Sequence, residues 1–153
     1  MPHEHDKEPG NYHALYDREA RNLRGVPAQP ETTTMSRGHR RLAAEAADLT
    51  VSYDDAIGSP NQVFRAAPGN RLTRGRADPA TAAKAFLSER RDLWRLPPED
   101  LDTIEVVSVS SNGLPTVRLI QRVDGKEVFG SDLVVAVDPS GLVVSTSGTA
   151  FAN

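Results

Sequence analysis

The sequence predicts an α+β domain in which an antiparallel β-sheet, an N-terminal hairpin followed by a four-strand meander, is covered on one face by a helix. Three observations lead there. Residues 115–148 are β-prone runs that alternate apolar and polar side chains between glycine-bearing turns, the period of half-buried strands. Two shorter β-prone runs occupy 50–53 and 62–66, with a Gly-Ser-Pro turn region between them. A stretch opening on Asp78-Pro79 carries helix chemistry instead. Strands with one wet face bury the other, and a helix laid across it completes two layers.

Residues 1–35 read as a mobile lead-in. Their first thirty combine charge, glycine, proline and histidine with little periodic apolarity, a composition that does not offset the entropy of ordering. His3, Glu4, His5, Asp6 and His13 form a loose tract of ligand types that suit zinc or copper. The same composition describes a solvated tail, which is the reading adopted, so no metal or cofactor is expected. Residues 12–18 hold the one apolar cluster of this segment and are a candidate to dock on the domain.

The domain itself is expected over 36–153. Residues 36–49 are rich in Ala, Arg and Glu, lack proline and space Leu42, Ala46 and Leu49 by four and three, which predicts a helix. His39, Arg40 and Arg41 form a basic cluster on it, expected as a solvated face. The second helix has an acidic N-cap at Asp78 and proline at its first position, with Ala82, Phe86 and Leu93 facing the sheet over 80–92. Glu89, Arg90 and Arg91 are expected to face water, and Leu96-Pro97-Pro98 to stop the element. Trp94, the single tryptophan, is expected to seal one end of the core. Residues 101–109 return to β character, with a Ser-Asn-Gly turn after them.

In the meander, Val117, Leu119 and Val123 take one face and Arg118 and Arg122 the other. Asp124-Gly125 is a two-residue hairpin turn in which both residues adopt φ > 0. The returning run, 126–137, sets Leu133, Val135 and Val137 against Val134 and Ala136, and Phe129-Gly130-Ser131 interrupts it as a bulge or kink. A turn at 138–141 leads to a last strand over 142–146.

The order Arg118-Leu119-Ile120-Gln121, Asp124-Gly125-Lys126-Glu127-Val128-Phe129-Gly130, Leu133-Val134-Val135 and Gly141-Leu142-Val143-Val144-Ser145 resembles the FTP domain, the fungalysin/thermolysin propeptide module. Earlier pieces, Val51-Ser52-Tyr53-Asp54, Gly58-Ser59-Pro60 and Gly69-Asn70-Arg71-Leu72-Thr73, are similar to the start of the same module. The resemblance therefore covers about two thirds of the chain, 51–148. Glu127 departs from it, standing where the family most often has proline.

The resemblance implies the N-terminal part of the propeptide of a secreted fungalysin-like zinc metalloprotease. Its partner is then the cognate catalytic domain, held in cis, which it inhibits and helps to fold. The rim Val128, Phe129, Gly130, Ser131 and Asp132 is the candidate contact, with Phe129 as docking aromatic or as core. The sequence stops directly after a strand and has no counterpart of the PepSY-like segment usual in such precursors, so a fragment is expected. Its polar N-terminus is not a secretory signal, and the resemblance implies one upstream. The alternative is a free-standing secreted or periplasmic module that binds a peptide or polysaccharide edge-on.

Other classes find little support. The 153 residues carry a net charge of −3 with mixed signs, so neither nucleic acid nor a membrane surface is an expected partner. No cysteine is present, which removes thiolate chemistry. No H-E-x-x-H, phosphate loop or G-x-S-x-G occurs, all four histidines precede Arg40, and no enzyme activity is expected. A monomer is expected.

Overall fold

The computed structural model describes residues 33–152 apart from Asp55. The chain divides into two units, Met1–Pro30 and Glu31–Asn153, and the described residues all belong to the second. The lead-in, its histidine tract and the 12–18 cluster lie outside the described residues.

Helix α1, Thr33–Glu45, is followed by the strands β1, Leu49–Asp54, and β2, Ser59–Arg65; helix α2, Pro79–Glu89, comes next. Two 3-10 turns, Arg91–Leu93 and Pro98–Thr103, lead into β3, Ile104–Ser110, and β4, Thr116–Val123. The chain closes with β5, Lys126–Glu127, β6, Leu133–Val137, and β7, Val143–Gly148. All pairings are antiparallel, and the spatial order is β1-β2-β7-β6-β4-β3 with β5 added to β4. The expected hairpin and meander are both there, joined where β2 pairs with β7.

Register explains the two faces. Val51, Val63, Thr146, Val135, Val117 and Val109 lie opposite one another in a single row across six strands. Most of this row is buried, and Val63, Val117 and Val135 share a core with Phe86 and Leu87 of α2. One residue along, the row Thr50, Phe64, Ser145, Ala136, Thr116 and Ser110 occupies the other face. Trp94 is buried and meets Phe86 edge-on, with ring centroids 6.2 Å apart, the sealing role expected of it.

Several boundaries differ from the sequence expectation, each for a local reason. The first helix ends at Glu45 rather than Leu49 because Asp48 is drawn out of helical geometry. Its carboxylate accepts from the Ala67 N–H at 2.9 Å and from Asn70 at 2.9 Å, and it pairs with Arg65. Leu49 consequently begins β1. The second helix ends at Glu89, with Asp78 accepting from the Thr81 N–H at its start as expected. Arg90 does not face water: it is buried, and its guanidinium forks onto Glu45 of α1. The pairing follows from the close seat of α1 on the first 3-10 turn, where a Cβ at Gly38 would lie 2.8 Å from Asp92 Cγ. Residues 101–103 are a 3-10 turn instead of strand, continuing the turn opened by Pro98. The run 126–137 splits into β5 and β6 around the expected kink at Phe129-Gly130.

Candidate functional site

The rim of the β4–β5 hairpin is built from the turn outward. Asp124 and Gly125 both have positive φ, 50° and 75°, as a two-residue hairpin loop twisted with its strands requires. This sets Glu127 opposite Arg122 and Lys126 opposite Val123. The Val128 N–H then donates to the Gln121 carbonyl at 2.9 Å, one step beyond the ladder. There the chain turns back: the Ser131 N–H donates to the Val128 carbonyl at 3.2 Å, and Gly130 at the third position has φ 80°.

Phe129 stands at the apex of this turn and is 99% exposed. The other large apolar side chains exposed among the described residues reach only 38–48%. Core packing of Phe129 is thereby excluded.

The backbone beneath Phe129 is fixed at every step. The buried Ser131 hydroxyl accepts from the Gln121 N–H at 3.0 Å. The Asp132 carbonyl accepts from the Thr149 N–H at 3.1 Å. Gly148, with φ 84°, brings the chain so close that a Cβ would lie 1.9 Å from that same carbonyl oxygen. Gln121 closes the arrangement from below, its amide donating to the Phe151 carbonyl and accepting from the Phe151 N–H, both at 2.7 Å. The Phe151 ring backs Gly130, 3.8 Å from where a Cβ there would be. At the outer edge the Arg118 guanidinium grips both oxygens of Asp132 at 2.9–3.1 Å. The Asp132 carboxylate raises the Arg118 pKa, so the pair is charged at neutral pH. Both side chains are half exposed; the pair orients the rim more than it stabilises the fold.

The five residues singled out in the sequence thus form one continuous turn. Their roles differ: Phe129 is presented, Gly130 permits the turn, and Ser131 and Asp132 anchor it. Val128 is half-buried and supplies the carbonyl that closes the turn. Gln121, Arg118, Gly148 and Phe151 were missed as members. Only Gln121 left a signal, a polar residue in the apolar frame of β4 between Leu119 and Val123.

The rim carries no nucleophile with an adjacent base and no set of metal ligands. Among the described residues no three His, Cys, Asp or Glu side chains gather as a metal site. What the geometry provides is an aromatic side chain on a pre-organised support, a contact device rather than a reacting one.

Residues 100–150 match the family described as the Fungalysin/Thermolysin Propeptide Motif, FTP. The match runs from the second 3-10 turn through β3, β4, β5, β6 and β7 to Ala150 and contains the whole rim. The class so defined is a propeptide motif of metalloproteases, not a catalytic domain. No curated protein and no solved structure matches the chain. No helix among the described residues is long and apolar enough to cross a membrane.

Proposed function

We propose that this chain is part of the propeptide of a secreted fungalysin- or thermolysin-type zinc metalloprotease, and that it docks on the catalytic domain through residues 128–132. In this role it blocks the enzyme before maturation and templates its folding. One observation carries the reading: within the segment that matches a propeptide motif, the most exposed apolar side chain, Phe129, sits on a turn whose backbone is tied down on both sides. Burying an exposed phenylalanine contributes about 1.5–3 kcal/mol, and a pre-ordered turn loses little entropy on docking. Partner, inhibition and secretion all belong to this proposal.

Titrating a fungalysin- or thermolysin-type catalytic domain with the purified chain tests it. Saturable loss of peptidase activity, together with a higher yield when the denatured enzyme refolds beside the chain, is the expected result. Neither effect at concentrations well above those of typical transient complexes, about 10 μM, would contradict it. High concentrations are warranted because a partner that acts in cis loses its effective concentration when the tether is absent.

A second reading, a peptide-binding module without a protease, draws on β3. This strand is at the end of the sheet order, with β4 as its one strand partner among the described residues, and Val107 and Val109 on it are exposed. Such an edge accepts an extended peptide. Peptide binding lost on placing proline at Val109, with no effect of the chain on any zinc peptidase, would favour it.

A further inference from the structure

Between the hairpin and α2, residues 69–77 form part of the wall of a cavity of about 790 Å³ that α1 and α2 also line. This connection is fastened at two places. The Leu72 N–H donates to the Val143 carbonyl at 2.8 Å, and the Val143 N–H donates to Thr73 Oγ1 at 2.9 Å. Further on, the Ala77 N–H reaches the Gly141 carbonyl at 3.4 Å. Arg74, Gly75 and Arg76 span the interval as an exposed arch.

Five arginines line the cavity. Arg65 is committed to Asp48, Arg71 to Asp138 and Arg90 to Glu45. Arg74 and Arg76 form no ion pair among the described residues, and of the lining carboxylates only Glu89 is likewise unpaired there. Guanidinium groups are therefore in excess in a chain whose net charge is −3. A second observation points the same way. Arg90 is only 9% exposed, and its Nε–H is buried with no hydrogen-bond partner among the described residues. An orphaned donor on a charged, buried group is costly, and an oxyanion is the acceptor that relieves it most.

We propose that this cavity binds a carboxylate carried on an acidic peptide segment. The Arg90 Nε–H supplies the buried donor, and Arg74 and Arg76 close over the anion as paired cations. Glutamate and aspartate side chains fit the planar fork of guanidinium and are small enough for the space. The site is separate from the hairpin rim, and its occupation does not depend on the role proposed for that rim.

Arginine Nε–Hε resonances of the full chain, followed during titration with a tetraglutamate peptide and separately with inorganic phosphate, test the assignment. Tetraglutamate is expected to shift Arg74, Arg76 and Arg90 together and saturably, a readout that needs no variant. The exposed double substitution R74A/R76A, checked to keep the wild-type melting temperature, is expected to weaken the peptide about tenfold or more, the loss of one charge-assisted contact. Phosphate is expected to bind more weakly at the same three residues. Phosphate binding as tightly as the peptide would overturn the peptide assignment. A linear, non-saturating response to both ligands, or unchanged peptide affinity in R74A/R76A, would overturn the site.

Discussion

At the scale of single residues, the rim separates what is displayed from what supports it. Phe129→Ala removes a side chain that is 99% exposed, so the expected change in stability is within about 0.5 kcal/mol. Gly148→Ala is the opposite case. It places a side chain where φ is 84° and where the Asp132 carbonyl oxygen already stands, and the expected loss exceeds the ~1–2 kcal/mol of left-handed strain alone. Thermal melts of the two variants side by side check both expectations.

Asp48 is a third case, readable through pH. Hydrogen bonds from Asn70 first, then Arg65 and the Ala67 N–H, hold its carboxyl well below the usual carboxylate range. A depressed folded pKa contributes stability that is present above the unfolded value, about 3.9, and is lost as pH falls below it toward the folded one. Asp48→Asn is therefore expected to lower the melting temperature most at neutral pH, with the gap to wild type narrowing below about pH 4.

Of these residues the sequence made Phe129 and its turn visible, because Gly130 and the Asp124-Gly125 pair punctuate the alternation. It left open whether Phe129 pointed in or out, since alternation fails at a kink. Gly148 and Phe151 were illegible: their part depends on the chain end passing beneath a turn well before it, which no local pattern encodes.

At the scale of elements, existence was legible and ends were not. Both helices and both hairpins follow from period, caps and turn dipeptides. The ends moved where a side chain found a distant partner. Asp48 stopped α1 by capturing residues beyond β2, and Arg90 left the solvent face of α2 for Glu45, 45 positions earlier in the chain. The Arg90–Glu45 pair yields a further expectation. Glu45→Ala strands a buried guanidinium, but Glu45 is itself half exposed, so the cost is about 1 kcal/mol rather than the 3–5 of a fully buried pair. Arg90→Met in that background is expected to recover part of it, because the methionine stem packs without a charge to satisfy. A double-substitution cycle in chemical denaturation checks the sign; no recovery would mean that the pair acts through its stems alone.

At the scale of the whole molecule, the sheet has one face buried under α2 and a second lined by hydroxyl and small aliphatic side chains. The propeptide-motif segment contributes five of the seven strands; the hairpin β1–β2 extends the sheet from β7. The rim lies inside the motif, whereas the arginine-lined cavity is built largely from residues before it. This division accounts for the part of the molecule that resemblance made readable and the part that it did not. Excess guanidinium in the cavity arises only after three of its arginines have found carboxylates in other elements, and that pairing exists only in the folded chain.

The measurement that bears most directly on the docking role is the affinity of a fungalysin- or thermolysin-type catalytic domain for the wild-type chain and for Phe129→Ala, taken by calorimetry with melting temperatures recorded on the same samples. The expected result is equal melting temperatures and at least about tenfold weaker binding of the variant, the loss of about 1.4 kcal/mol or more of buried aromatic contact. Equal melting temperatures with equal affinity would contradict the account and remove Phe129 from the interface.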